Sequence, residues 1–259
     1  HHAARYFLLN NRGAIAPGFL ADFVVIDNFE DFNILEVYKR GRRMFDGKTV
    51  TPFEAPEIDP HLVRRSHETF HVAHLSAEDF IESRPRAVLG MVPGEIVTTD
   101  AGYAEKISVE DDILKIAVIE RHKNTHHIGI GYIKGYGLKS GAVATSISHD
   151  SHNIIVVGAN EEDMAAAVNR VVELGGGIVV MDGGKVLGEV QLQIAGIMSE
   201  APLVEVNEAL ENAKEQAFAL GVSRGVDPFM TLSFMALTVI PTLRLTTRGV
   251  FDVIHQRYV

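Results

Sequence analysis

The densest run of chemistry-bearing side chains is Ser148-His149-Asp150-Ser151-His152-Asn153. Two imidazoles, a carboxylate, two hydroxyls and an amide so close together can orient one another, hold a water, or hydrogen-bond a ligand held by another domain. The apolar run Ile154–Val157 follows at once, so the cluster stands at the edge of a strand that a core can anchor. Loops fixed to a rigid scaffold are where side chains can be aimed at a ligand. His149, Asp150, His152 and Asn153 are therefore the candidates for substrate contact or loop gating. The alternative is a self-bonded turn in which Asp150 and Asn153 satisfy local backbone groups.

Four other segments invite a chemical reading that spacing or context weakens. His67-Glu68-Thr69-Phe70-His71 fits the zinc-peptidase pattern H-E-x-x-H. That pattern works on a helix, where residues four apart share a face. Here Thr69–Leu75 reads as a strand and the next helix signal begins at Ser76, so no metal ligands are assigned. Gly129-Ile130-Gly131-Tyr132-Ile133-Lys134-Gly135 has one residue too many for a dinucleotide loop and lacks the Gly-Lys-Ser/Thr ending of a P-loop. It reads instead as a glycine-rich strand and turn that lets backbones pass closely. Glu120-Arg121-His122 is a second polar cluster, equally well explained by an ion pair on a solvated rim. Glu110-Asp111-Asp112 reads as a solvated turn.

The elements that must position these residues follow from periodicity and punctuation. Ala3–Leu9 reads as the tail of a helix. Pro17-Gly18 makes a turn before the short strand Ala21–Asp27, and a second strand covers Ile34–Lys39. Arg40-Gly41-Arg42 turns the chain into Arg43-Met44-Phe45, and Asp46-Gly47-Lys48 closes that hairpin. Thr51–Pro60, with three prolines and several carboxylates, reads as an extended linker and places a domain boundary nearby. Beyond it, Ser76 caps a short helix, and Ile113–Glu120 and Asn153–Val157 are strands. Asn160 caps a helix over Glu161–Leu174 that Gly175 stops. Gly177–Met181 and Lys185–Val190 flank the hairpin signal Asp182-Gly183-Gly184. Pro202–Leu220 is a helix with Leu203, Val206, Leu210, Ala213, Ala217 and Leu220 on one stripe.

Composition excludes several function classes. With 46% hydrophobic and 22% charged residues the chain can bury a sizeable core and leaves little room for disorder. A net charge of −10 disfavours nucleic acid, whose phosphates need clustered basic side chains. The absence of cysteine rules out disulfides, thiolate metal sites and a cysteine nucleophile, and suits the cytoplasm. No apolar run approaches the roughly 18 residues that cross a bilayer, so no membrane partner is expected.

The segment Gly13-Ala14-Ile15-Ala16-Pro17-Gly18 followed by Ala21-Asp22-Phe23-Val24-Val25 resembles the closing strands of amidohydrolase-superfamily enzymes. Gly137-Leu138-Lys139-Ser140-Gly141-Ala142, Ser148–Asn153, Gly175–Val180 and Asp227–Phe234 together resemble the C-terminal domain of bacterial adenine deaminases, over nearly the whole chain. The chain departs from the family pattern at Leu192-Gln193, Thr238 and Thr247.

This resemblance implies an α/β chain of mixed α+β type. Residues 1–60 would be the last strands of the amidohydrolase β-sandwich domain, and 61–259 a mixed sheet-and-helix C-terminal domain. It implies a hydrolase converting adenine, or a related purine, and water to hypoxanthine and ammonia. It also implies a binuclear manganese or iron centre held by an N-terminal barrel outside this chain, which alone would be inactive. That barrel and a second copy in a homo-oligomer are the protein partners it allows. The competing expectation is a non-catalytic structural or oligomerising domain.

Overall fold

A computed structural model describes residues 1–54 and 56–259. The chain divides into two compact units, His1–Ile58 and Asp59–Val259. The linker read over Thr51–Pro60 spans this division, and its Ala55 lies outside the described residues.

The first unit opens with the short helix α1 (His2–Tyr6). It continues into three antiparallel strands, β1 (Phe23–Ile26), β2 (Ile34–Lys39) and β3 (Arg42–Phe45), in the order β1-β2-β3. Asp22 ties the unit together: its carboxylate accepts from Arg12, Lys39 and the Arg40 backbone N–H. The Lys39 bond first, and then the Arg40 amide, hold its pKa below the usual carboxylate value. Little apolar surface is covered. Val24, Val25, Ile34 and Leu35 of the strands all remain exposed.

The second unit begins with helix α2 (Pro60–His67), which the sequence reading missed. Its start was nonetheless written in Asp59-Pro60: the Asp59 carboxylate accepts from His61 N at 2.8 Å, and proline suits the first helical position. The expected strand over Thr69–Leu75 does not form. The segment makes single anchoring bonds instead, His71 N to Arg121 O and Leu75 N to the Asn169 side chain, and lays Phe70, Val72 and Leu75 over one face of the sheet. Ser76 then starts a 3-10 turn over Ala77–Phe80, with the Asp79 carboxylate accepting from Ser76 N and Oγ.

One eight-stranded sheet organises the rest. In chain order come β4 (Arg86–Met91), β5 (Thr98–Ala104), β6 (Ile113–Ile119), β7 (Ile128–Lys134), β8 (Ala142–Thr145) and β9 (Ile154–Gly158). Helix α3 (Glu161–Glu173) and strands β10 (Gly177–Asp182) and β11 (Lys185–Gln191) follow. Next are helices α4 (Leu203–Ala219) and α5 (Met230–Met235) and a small sheet of β12 (Leu243–Thr246), β13 (Gly249–Asp252) and β14 (Arg257–Tyr258). The strand order in the large sheet is β11-β10-β8-β9-β6-β7-β4-β5. Its pairings are antiparallel except the parallel pair β4 and β7. The sheet is therefore mixed.

Both faces of this sheet are covered, and strand alternation sorts side chains between two cores. Leu114, Ile116 and Val118 of β6, with Ile155 and Val157 of β9, enter the core beneath α4, α5 and the β12–β13 hairpin. Ala117 and Ile119, with Ile154 and Val156, enter the core beneath α3. Central strand β9 thus buries every side chain, which is why it reads as an unbroken apolar run, while β6 buries all but Ile113 and takes Lys115 into the interior. Helix α3 is capped as the sequence indicates, Asn160 Oδ1 accepting from Asp163 N at 2.7 Å. Helix α4 buries Ala213 and Ala217, and a Cβ on Gly188 of β11 would stand 2.8 Å from Ala213 Cα. Its first turn differs from the expected stripe, since Leu203 is exposed. Among the described residues no helix is long and apolar enough to cross a membrane.

Candidate functional site

The loop between β8 and β9 carries the histidine cluster. Ser148 is fully buried at its start and Asn153 is buried at its end, so both feet stand in the core. Between them His149 is half-buried and Asp150 projects into solvent. The His149 backbone donates to Ser233 O at 3.1 Å, and its ring lies 4.9 Å from the Phe234 ring, so α5 holds this imidazole from above. His152 donates its backbone N–H to Ser148 O at 2.6 Å and takes a left-handed φ of 48°.

The two imidazoles differ in protonation control. Ser148 N donates to His152 Nδ1 at 3.4 Å, which leaves the ring proton on Nε2 in the neutral form. Burial above all, then the neighbouring His149 and the Arg121 guanidinium, push the His152 pKa below its usual value. Asp150 Oδ1 stands 3.6 Å from His149 Nδ1, an ion-pair distance longer than a hydrogen bond. The backbone, rather than Asp150, thus sets the tautomer of His152. Asn153 is engaged at both ends: its Oδ1 accepts from Arg121 N at 3.3 Å and its Nδ2 donates to Ser151 Oγ at 3.1 Å.

His149, Asp150, Ser151 and Asn153 share a cavity of about 310 Å³ whose opposite wall includes Leu237, Thr238 and Thr247. In sequence, Thr238 and Thr247 lie far from the histidine cluster. The fold brings these two departures from the family pattern to the same cavity. Arg244 pins that opposite wall, its guanidinium donating to Ile240 O, Pro241 O and Ile96 O. Burial lowers the Arg244 pKa to about 10.

Arg121 overturns the reading of Glu120-Arg121-His122 as a rim ion pair. Glu120 turns away to accept from His122 N, Lys123 N, Thr125 N and Thr125 Oγ. Arg121 is 2% exposed and its guanidinium donates to the carbonyls of Thr69, His152 and Ala195. A charged side chain gives no apolar signal of its burial, so periodicity could not have found it. His122 completes the polar belt, its Nε2 lying 2.8 Å from Ser151 O.

The remaining motifs resolve as structural. His67 is the last residue of α2 and pairs through Nε2 with Glu200 at 3.0 Å, while His71 lies beyond the helix. The zinc pattern therefore fails because the helix ends inside it. The segment from Gly129 is strand β7, and a Cβ at Gly129 would fall 1.8 Å from Thr246 O. Asp112 is more than a solvated turn residue, for its carboxylate accepts from Gly135 N and Gly137 N, both at 2.8 Å.

The chain matches known proteins on the same segments. The family model described as the adenine deaminase C-terminal domain matches residues 95–257. Adenine deaminase 2 of Carboxydothermus hydrogenoformans is 41% identical over 261 residues, covering 97% of this chain and 45% of that protein. Adenine deaminase of Nitratidesulfovibrio vulgaris is 41% identical over 265 residues with the same coverage. That of Petrotoga mobilis is 38% identical over 270 residues, covering 100% of this chain and 46% of its own length. The chain thus spans less than half the length of these relatives. A match that runs through the large sheet from β5 onward, the histidine loop and both walls of its cavity shows that the chain belongs to the adenine deaminases and contains their C-terminal domain.

Proposed function

We propose that this chain is the C-terminal part of a metal-dependent adenine deaminase and that the Ser148–Asn153 loop forms one face of its active site. The observation that carries the reading is a loop with two imidazoles and a carboxylate, rooted in the core at both ends and edging a cavity, in a chain about 40% identical to proteins named adenine deaminase. The reaction is hydrolytic. Water adds its oxygen at C6 of adenine, the bond from C6 to the exocyclic nitrogen breaks, and hypoxanthine and ammonia leave.

Among the described residues no group of three or more His, Asp or Glu side chains is arranged to hold a metal ion. On this reading the manganese or iron of the proposed enzyme belongs to a barrel outside this chain. What this chain contributes is recognition. A neutral His152 donates from Nε2 to a purine ring nitrogen, His149 presents a half-buried imidazole, and Asp150 accepts from a purine N–H at the cavity mouth. Asn153 holds the loop, with its remaining amide hydrogen free for a ligand. On the same reading, residues 1–60 are the closing strands of the amidohydrolase β-domain and the compartment is the cytoplasm.

A structural or oligomerising role is the second reading, and one observation favours it: much of the loop is self-bonded, through His152 N to Ser148 O and Asn153 Nδ2 to Ser151 Oγ. The deciding assay uses the full-length enzyme that carries this chain, loaded with manganese or iron. Adenine should be consumed with equal release of hypoxanthine and ammonia. No conversion in the loaded enzyme would overturn the proposal.

A further inference from the structure

A guanidinium is among the costliest groups to bury without a counter-charge, and burial of one needs every N–H accounted for. Arg121 makes four hydrogen bonds, all to uncharged oxygens: three carbonyls and the Thr69 hydroxyl. Nε donates to His152 O, Nη1 to Thr69 O at 3.1 Å and Thr69 Oγ1 at 3.4 Å, and Nη2 to Ala195 O at 2.9 Å. The Phe70 ring covers the cation at 4.2 Å. Burial lowers its pKa to about 10, so the group stays charged at neutral pH. No carboxylate pairs with it among the described residues. The backbone of the same residue is used as well, its O accepting from His71 N at 2.8 Å and its N donating to Asn153 Oδ1.

We propose that Arg121 is the positioning residue of the candidate site, joining the Thr69–His71 segment, the Ser148–Asn153 loop and the Ala195 turn on one planar fork so that His149 is held at the cavity lining with the His152 ring 6.2 Å from it. The inference rests on the reading of that loop as an active-site face. Three carbonyls arriving from three segments need a rigid donor with several directions, which guanidinium supplies and a lysine ammonium does not. The surroundings are shaped for it. Gly196 sits at φ 74°, and a Cβ there would come within 3.0 Å of Arg121 Nη2 and 2.8 Å of the Phe70 ring. His152, in its left-handed conformation, has its carbonyl gripped by Arg121 and its N–H by Ser148 O, so the strained backbone is fixed from both sides.

The cation also contributes, after burial and His149, to keeping the His152 pKa low. The groups facing that imidazole are His149 and Asp150 from its own loop, and Arg121 and His122 from the end of β6. Asp150 alone favours protonation. The folded pKa lies below the usual value, so the neutral donor form persists at neutral pH and is lost only as pH falls through that lowered value. Removing the guanidinium takes away one of the groups that keep it low.

The test uses the full-length enzyme with Arg121→Gln, Arg121→Lys and Phe70→Leu. The readouts are kcat and KM for adenine and the pH dependence of His152 modification by diethylpyrocarbonate, which attacks neutral imidazole, mapped by peptide mass spectrometry. Arg121→Gln should lower kcat by about 10- to 100-fold with a smaller change in KM, and should raise the midpoint of His152 modification. Arg121→Lys keeps the charge and should restore the midpoint, while recovering only part of kcat because one ammonium cannot span the three carbonyls. Phe70→Leu keeps every hydrogen bond and should lower kcat by about threefold to tenfold; it decides the matter if neither arginine variant folds. Wild-type kcat and an unmoved His152 midpoint in folded Arg121→Gln, or wild-type kcat in Phe70→Leu when the arginine variants do not fold, would overturn the proposal. Wild-type turnover in His152→Ala together with a shifted midpoint in Arg121→Gln would sink the active-site reading alone and leave Arg121 supported as the anchor of the loop.

Discussion

His152→Ala in the full-length enzyme lowers adenine turnover or affinity by about one to two decades, the consequence of losing one hydrogen bond of about 1–3 kcal/mol in a closed site. The expectation follows from where the imidazole stands. Its Nδ1 is occupied by Ser148 N, so Nε2–H is the donor left for a ligand. Asp150→Asn is the companion variant. It keeps shape and removes charge at an exposed position, and its effect should be the smaller because solvent screens the carboxylate. Metal content and melting temperature must match wild type in both, so that a loss of turnover is read as lost recognition. Wild-type kinetics in both would make the loop a structural turn.

The second large effect is on stability. Gly129→Ala should destabilise the chain by roughly 3 kcal/mol, at the upper end of what overpacking costs. Strand β7 and the β12–β13 hairpin approach so closely that the new methyl would lie 1.8 Å from Thr246 O and 2.7 Å from Gly249 N. Backbone on both sides leaves no flexible side chain to yield. Gly225→Ala is the control, because nothing lies within 4 Å of its added Cβ, and it should stay within about 0.5 kcal/mol of wild type. Urea unfolding followed by circular dichroism reads both. Equal midpoints for the two variants would show that the hairpin moves aside. The same substitution bears on the site, since Thr246 and Thr247 line the cavity opposite His149.

What the sequence made legible was local. Asn160 as a cap, Asp182-Gly183-Gly184 as a hairpin turn, the alternation of β6 and the apolar run of β9 are each fixed by neighbours in the chain, and each appears where its own residues placed it. The glycine spacing of β7 announced a close backbone approach but not its partner, which comes from more than a hundred residues later. What stayed hidden was tertiary. Thr69–Leu75 has strand-like residues, yet the edges of β6 and β9 are taken by β7, β8 and each other, so the segment stays coil and lays its apolar residues on the sheet face that also carries α3. Helix α2 lacks a buried face, so the apolar stripe that betrays most helices is absent. In the site itself, the cluster from Ser148 to Asn153 stood out by composition. The residues that hold it, Arg121 and Phe234, did not, because a buried arginine bonded to carbonyls looks in sequence like any surface cation.

The most direct measurement of whether this loop faces the substrate is protection of its histidines in the full-length, metal-loaded enzyme. Saturating hypoxanthine, the product, should slow diethylpyrocarbonate modification of His149 and His152 by about tenfold or more, as expected when a ligand buries most of a pocket's surface. His61 and His255, exposed and outside the cavity lining, should react at unchanged rates. Equal modification of His149 and His152 with and without hypoxanthine, under conditions where the enzyme binds it, would contradict the account.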